Sequence, residues 1–164
     1  MKGDLILVKH RSLLGRLIRK ITKSNFNHVG IFIDDDRVIE AKFSGVVVTP
    51  FATLQRAKRR DILDFEVYRI KNVKKEQIEI MVNFIGSQVG RKYDFVQFFS
   101  LGLMLLFHIT RRVEPIDIRR RWICSELVAE GAYLAGIRFH ENIDPDNITP
   151  EDIASSSLVE RVNI

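Results

Sequence analysis

The chain holds a single cysteine, Cys124, in the run Arg121-Trp122-Ile123-Cys124-Ser125-Glu126-Leu127-Val128-Ala129-Glu130, where an apolar approach turns into helical spacing. A thiol in the first turn of a helix meets the positive end of the helix dipole and unpaired backbone N–H groups, and both favour thiolate over thiol. The thiolate is the nucleophile of a cysteine hydrolase. Such an enzyme also needs an imidazole to take and return a proton, and a polar group to fix that imidazole. The bland alternative for Cys124 is a small buried hydrophobe, since free cysteines are among the most buried residues. Of the four histidines, His10 lies in a basic N-terminal segment, His140 in a polar loop and His108 in an apolar run. His28 opens Asn27-His28-Val29-Gly30-Ile31-Phe32-Ile33, where its ring can lie on a sheet face beside small Gly30. It is the candidate base, with a satisfied core histidine as the alternative.

Hairpin geometry supplies a candidate for the third group. If Asp34-Asp35-Asp36 form a three-residue turn, Ile33 pairs with Arg37, Gly30 faces Glu40 and His28 faces Lys42. Glu40 then shares a face with His28 one diagonal step away, about 7–8 Å at Cα. A two-residue turn would flip the parity and send Glu40 to the other face. Aspartate tolerates the left-handed backbone that a three-residue loop uses, which favours the first register. The alternative for Glu40 is an ordinary strand carboxylate.

The elements that must position these residues follow from periodicity. An opening strand covers about 4–8. Ser12 suits the N-cap of a short helix with apolar Leu13, Leu14, Leu17, Ile18 and Ile21. Strands are expected from His28 to Ile33, from Arg37 to Ala41, at Val46-Val47-Val48 before Thr49-Pro50, and from Phe65 to Ile70. Helical spacing runs from Val73 to Val89, with Asn72 suited to the N-cap and Gly90 to the stop. Residues 95–109 are the most apolar stretch, but a spanning helix needs about 20 mostly apolar residues, so a buried helix is expected; a membrane or substrate contact is the alternative. A second long helix runs from Cys124 to about Ala135 and stops at Gly136. The tail reads as loop with a short helical turn, then a last strand from Leu158 to Val162.

With 164 residues, 46% of them hydrophobic and 29% charged, the chain is expected to form one domain, 1–164, with a real core. One cysteine allows no internal disulfide. The N-terminus reads as a buried strand rather than a secretory signal, so cytoplasmic localisation is the default, with peripheral membrane association open. The net charge of +5 clusters at Lys9–Lys23, Arg56–Arg60 and 111–121. Such clusters attract an anionic membrane or wall polymer. No zinc-ligand spacing or nucleic-acid motif accompanies them, and neither a metal nor a cofactor is called for.

The ordered pieces Gly3-Asp4-Leu5-Ile6-Leu7, Asn27-His28-Val29-Gly30-Ile31-Phe32-Ile33, Val38-Ile39-Glu40-Ala41, Gly90-Arg91-Lys92-Tyr93-Asp94, Ile123-Cys124-Ser125-Glu126-Leu127-Val128 and Ile148-Thr149-Pro150-Glu151-Asp152-Ile153 span almost the whole chain. In this order the sequence resembles the circularly permuted papain-like cysteine amidases related to the NlpC cell-wall peptidases. The resemblance implies an α+β fold with a papain-like core in permuted order, a small antiparallel sheet packed against helices. It implies Cys124 as nucleophile, His28 as base and Glu40 as the third member. Tyr93 would line the site and help to bind substrate or oxyanion, with a half-buried aromatic as the alternative. The expected activity is cleavage of an amide bond in a peptide or cell-wall-type substrate through a thioester. Two other readings stand beside it: a membrane-associated lipid acyltransferase or deacylase using the same Cys–His site, and a non-catalytic binding protein on the same fold. Alkylation of Cys124, faster at low pH if the pair is activated, separates the enzymes from the binder.

Overall fold

The structure, a computed structural model, describes residues 1–22, 24–58, 60–93 and 121–164. Residues 95–109, with His108, and residues 111–120 of the third basic cluster lie outside the described residues. The strands β1 (Leu5–His10), β2 (His28–Phe32), β3 (Arg37–Lys42), β4 (Gly45–Pro50), β5 (Ile62–Ile70) and β8 (Val159–Val162) form one six-stranded antiparallel sheet. Their order across it is β4-β3-β2-β1-β5-β8. The two-residue strands β6 (Lys92–Tyr93) and β7 (Arg121–Trp122) pair in parallel, Tyr93 opposite Trp122. The helices are α1 (Leu13–Thr22), α2 (Phe51–Ala57), α3 (Lys75–Ser87), α4 (Cys124–Leu134) and α5 (Pro150–Ser155).

Strand alternation divides the core in two. Leu5, Leu7, Val29, Ile31, Ile39, Ala41 and Val46 face α3 and α4 and pack on Met81, Ile85, Leu127 and Val128. Ile6, Val8, Phe32, Val38 and Val67 face the other way, under Phe51 and Leu54 of α2. Each of the Val, Leu, Ile, Phe and Met side chains among them contributes about 1.5–3 kcal/mol when fully buried. Gly131 lets α3 and α4 approach closely, for a Cβ there would stand 2.8 Å from Ile85 Cδ1.

The β2–β3 hairpin adopts the three-residue register: Gly30 opposes Glu40, Ile31 opposes Ile39, and Ile33 N donates to Arg37 O at 3.0 Å. The left-handed residue expected in this loop is not there, because among described non-glycine residues only Asn72 has positive φ. Instead the Asp34 carboxylate accepts from the backbone N–H groups of Asp36 and Arg37, at 2.9 and 2.8 Å, and closes the loop itself. Asn72 is not the N-cap of α3. It makes a left-handed turn (φ 54°), and the helix starts after Lys74, whose N–H is capped by the Gln77 side chain at 3.1 Å. Ser12 caps α1 as expected, its Oγ accepting from Gly15 N at 3.0 Å. Leu13 is not core: it is 83% exposed. The short helix α2 was not anticipated beyond the strand stop at Pro50.

Candidate active site

Cys124 is the first residue of α4 and is buried. Two hydrogen bonds hold this helix start. Glu126 Oε2 accepts from Ile123 N at 3.2 Å, and Ser125 Oγ donates to the carbonyl of Ile148 at 2.7 Å. One residue on, Thr149 and Asp152 form a reciprocal capping box that starts α5. From α5, Glu151 Oε2 accepts from Ser24 Oγ and Asn25 N at 2.9 and 2.8 Å, tying the helix to the segment that leads into His28. The sequence showed these tail residues only as loop and helical turn; their work is to join the cysteine helix to the histidine strand.

His28 and Glu40 share a sheet face, as the register requires, and His28 Nε2 lies 2.7 Å from Glu40 Oε2. Glu40 is only 2% exposed. Gly30 lets β2 and β3 pack closely there, because a Cβ at residue 30 would stand 2.7 Å from Val38 Cγ1, 3.0 Å from the carbonyl of Ile39 and 3.3 Å from Glu40 Cβ. This face is not the one α4 covers. The two sides meet because β2 and α4 begin at the same end of the sheet. The β2–β3 ladder stops at Gly30 and Glu40, and there the Cys124 thiol comes within hydrogen-bonding reach of His28 and of the Val29 N–H. With Nε2 turned to Glu40, Nδ1 is the ring nitrogen left for the sulfur.

The electrostatics follow from this placement. Burial pushes the Cys124 thiol up, but the charge and hydrogen bond of His28, with the N–H groups of Val29 and Ser125, outweigh it and hold the thiol below its ordinary value. Burial pulls His28 down, but the Cys124 thiolate first and Glu40 second lift it well above its usual range. Burial pushes Glu40 up; its hydrogen bond and charge contact with His28 and the nearby Lys42 overcome this and bring it to about 2. Lys42 Nζ is 2.6 Å from Glu40 Oε1. Cysteine and histidine therefore favour the thiolate–imidazolium form.

One histidine at the site went unrecognised in the sequence. The His10 ring centre lies 5.5 Å from that of His28, and Asn27 Oδ1 anchors its backbone by accepting from His10 N at 2.9 Å. Burial, then the charge on His28, lowers it to about 4, so it is neutral near pH 7. The signal was the continued alternation Ile6, Val8, His10, which a strand ending at residue 8 cut off. His140 belongs to the tail, its Nε2 2.9 Å from the carbonyl of Asp152. Tyr93 is in β6, and its backbone pairs with Trp122, two residues before Cys124.

A family model for permuted papain-like amidase enzymes (YaeF/YiiX, C92) matches residues 1–101. The chain belongs to that family. The matched residues include His28 and Glu40, and Cys124 lies beyond them. Among solved structures, the metalloprotein YiiX from Escherichia coli O157:H7 superposes with a TM-score of 0.73 over 99% of this chain and 96% of that one, at 18% identity. The α+β fold is thus the permuted papain-like one. No curated protein matches. Membership in an amidase family supports an amidase or peptidase in general, acting on a peptide or amide. Among the described residues no three His, Cys, Asp or Glu converge to hold a metal ion. No described helix is long and apolar enough to cross a membrane.

Proposed function

We propose that the protein, acting as one domain over 1–164, is a cysteine amidase or peptidase with Cys124 as nucleophile, His28 as acid–base and Glu40 orienting His28. The observation that carries this reading is the chain of contacts from the Cys124 thiol through His28 to Glu40, 2.7 Å from Nε2. The Cys124 sulfur attacks the carbonyl carbon of the bound amide. The N-terminal N–H groups of α4, Cys124 N–H first among them, face the oxyanion that forms. His28 Nδ1–H gives its proton to the amine as the C–N bond breaks, leaving a thioester. His28 then takes a proton from water, whose oxygen attacks the thioester and releases the acid and the thiolate. Tyr93, whose backbone pairs with Trp122 two residues before Cys124, is the proposed substrate-binding residue. A cell-wall-type peptide or small amide is the proposed substrate.

The test is intact-mass measurement during turnover of a panel of cell-wall-type peptide amides. Parent protein is expected to gain one acyl group on Cys124, and Cys124→Ser to lose turnover by several orders of magnitude. Turnover that survives in Cys124→Ser overturns the reading. If no amide turns over and Cys124 alkylates as an ordinary thiol, the chain is a binding protein on this fold.

A second reading, lipid acyl transfer or deacylation at a membrane, is favoured by α1. Residues 5–33 carry six lysines and arginines and no acid, and on α1 the exposed Leu13 stands with exposed Arg16 and Lys20. Basic residues beside an exposed apolar one suit an anionic bilayer. Co-sedimentation with anionic vesicles, lost at high salt, is the result this reading requires. Protein left in the supernatant at low salt removes it.

A further inference from the structure

We infer that Lys42 is a positioning residue of this site, holding Glu40 against His28 so that thiol, imidazole, carboxylate and ammonium act as one row of four groups; the inference rests on the catalytic reading above. Glu40 is almost wholly buried and its two oxygens are not alike. Oε2 meets His28 at 2.7 Å. Oε1 is buried without a hydrogen bond, and its partner is the ammonium of Lys42, 2.6 Å away but outside hydrogen-bonding geometry. A buried carboxylate oxygen with neither charge nor donor beside it is costly, so Lys42 is what lets Glu40 stay ionised and fixed. Lys42 is itself held, its Nζ donating to Thr49 Oγ1 of β4 at 3.1 Å. Residues 40 and 42 share a strand face, and the lysine stem reaches back along β3 to Glu40. Its side chain is 38% exposed, so it closes the Glu40 end of the row toward solvent. The titratable or charged groups around Glu40 are His28 from β2, His10 from β1 and Lys42 from its own strand, with Cys124 of α4 beyond His28. β4 offers the hydroxyl of Thr49.

The test is the carbon-13 chemical shift of the Glu40 carboxyl carbon, titrated from neutral to acid pH in folded protein and assigned by its loss in Glu40→Gln. Lys42→Met is expected to move the Glu40 midpoint upward by roughly 1 pH unit, since an opposite charge in contact shifts a carboxylate by about 1–3 units. Lys42→Arg, which keeps the charge, leaves the midpoint near that of the parent. If Lys42→Met melts below the assay temperature, Lys42→Gln takes its place with the same expected rise. An unmoved midpoint in the charge-removing variant overturns the inference. The ultraviolet thiolate absorbance of Cys124 tests the reading beneath it: a parent thiol that titrates at its ordinary value is a different result and overturns the catalytic reading itself.

Discussion

Between the ordinary histidine value of 6.5 and the ordinary thiol value of 9.0, the unfolded chain and the folded site hold the same proton in different places: on sulfur when unfolded, on His28 when folded. The depressed thiol favours the fold on the alkaline side, and that contribution is lost as pH falls through its folded value. The raised histidine favours it on the acid side and is lost as pH rises through its folded value. The pair's joint contribution is therefore level across that window and declines on either side. Glu40 has its own window. Its folded value of about 2 lies below the ordinary 4.5, so its ionisation stabilises the fold above about pH 4.5 and ceases to as pH falls toward 2. Urea midpoints measured over that acid range are expected to fall more steeply in the parent than in Glu40→Gln. Equal slopes would contradict the Glu40–His28 contact. At this scale the sequence was readable where chemistry and position coincide. Cys124 stood at a helix start and His28 at a strand start. His10 and Lys42 were harder to see, because their roles come from tertiary proximity to a carboxylate rather than from any local pattern.

The β2–β3 hairpin shows how an element converts spacing into a site. Its register puts Glu40 opposite Gly30 and diagonal to His28, and a shift of one residue would send the carboxylate to the face under α4. The three aspartates disclosed the register, though Asp34 closes the loop through its side chain rather than through a left-handed residue. Gly30 is the weak point of the arrangement. In Gly30→Ala the new Cβ meets the carbonyl of Ile39 at 3.0 Å and Glu40 Cβ at 3.3 Å, backbone and strand atoms that cannot swing away. Overpacking of this kind costs about 1–3 kcal/mol, roughly 2–4 °C of Tm per kcal/mol in a chain of this size. The variant is expected to melt lower and to alkylate Cys124 more slowly, as Glu40 is pushed off His28. A parent-like Tm and alkylation rate would show that the strands relax freely there. Other boundaries were less legible. Helix α3 begins after Lys74 because the Gln77 side chain supplies the cap, while Asn72 spends its tolerance of positive φ on the preceding turn.

Across the whole molecule, most strands and helices could be read from alternation and helical spacing. The antiparallel sheet, with its histidine strand before the cysteine helix, could be read from the family resemblance. That both faces of the sheet are apolar came from the structure. How the halves are fastened could not be read from the sequence. Ser125 to Ile148, Glu151 to Ser24 and Asn25, and β6 beside β7 are all contacts between segments distant in sequence, and no local periodicity encodes them. They matter because His28 and α4 pack on different faces of one sheet and meet only where both begin. The central claim is that this meeting activates the thiol. The most direct test is the rate of Cys124 alkylation by iodoacetamide against pH, in the parent and in His28→Ala. The account predicts a parent thiol that reacts as thiolate well below the free value of about 8.5, with the midpoint rising toward that value when His28 is removed. A slow parent reaction with an ordinary or raised midpoint, unchanged in His28→Ala, would contradict it.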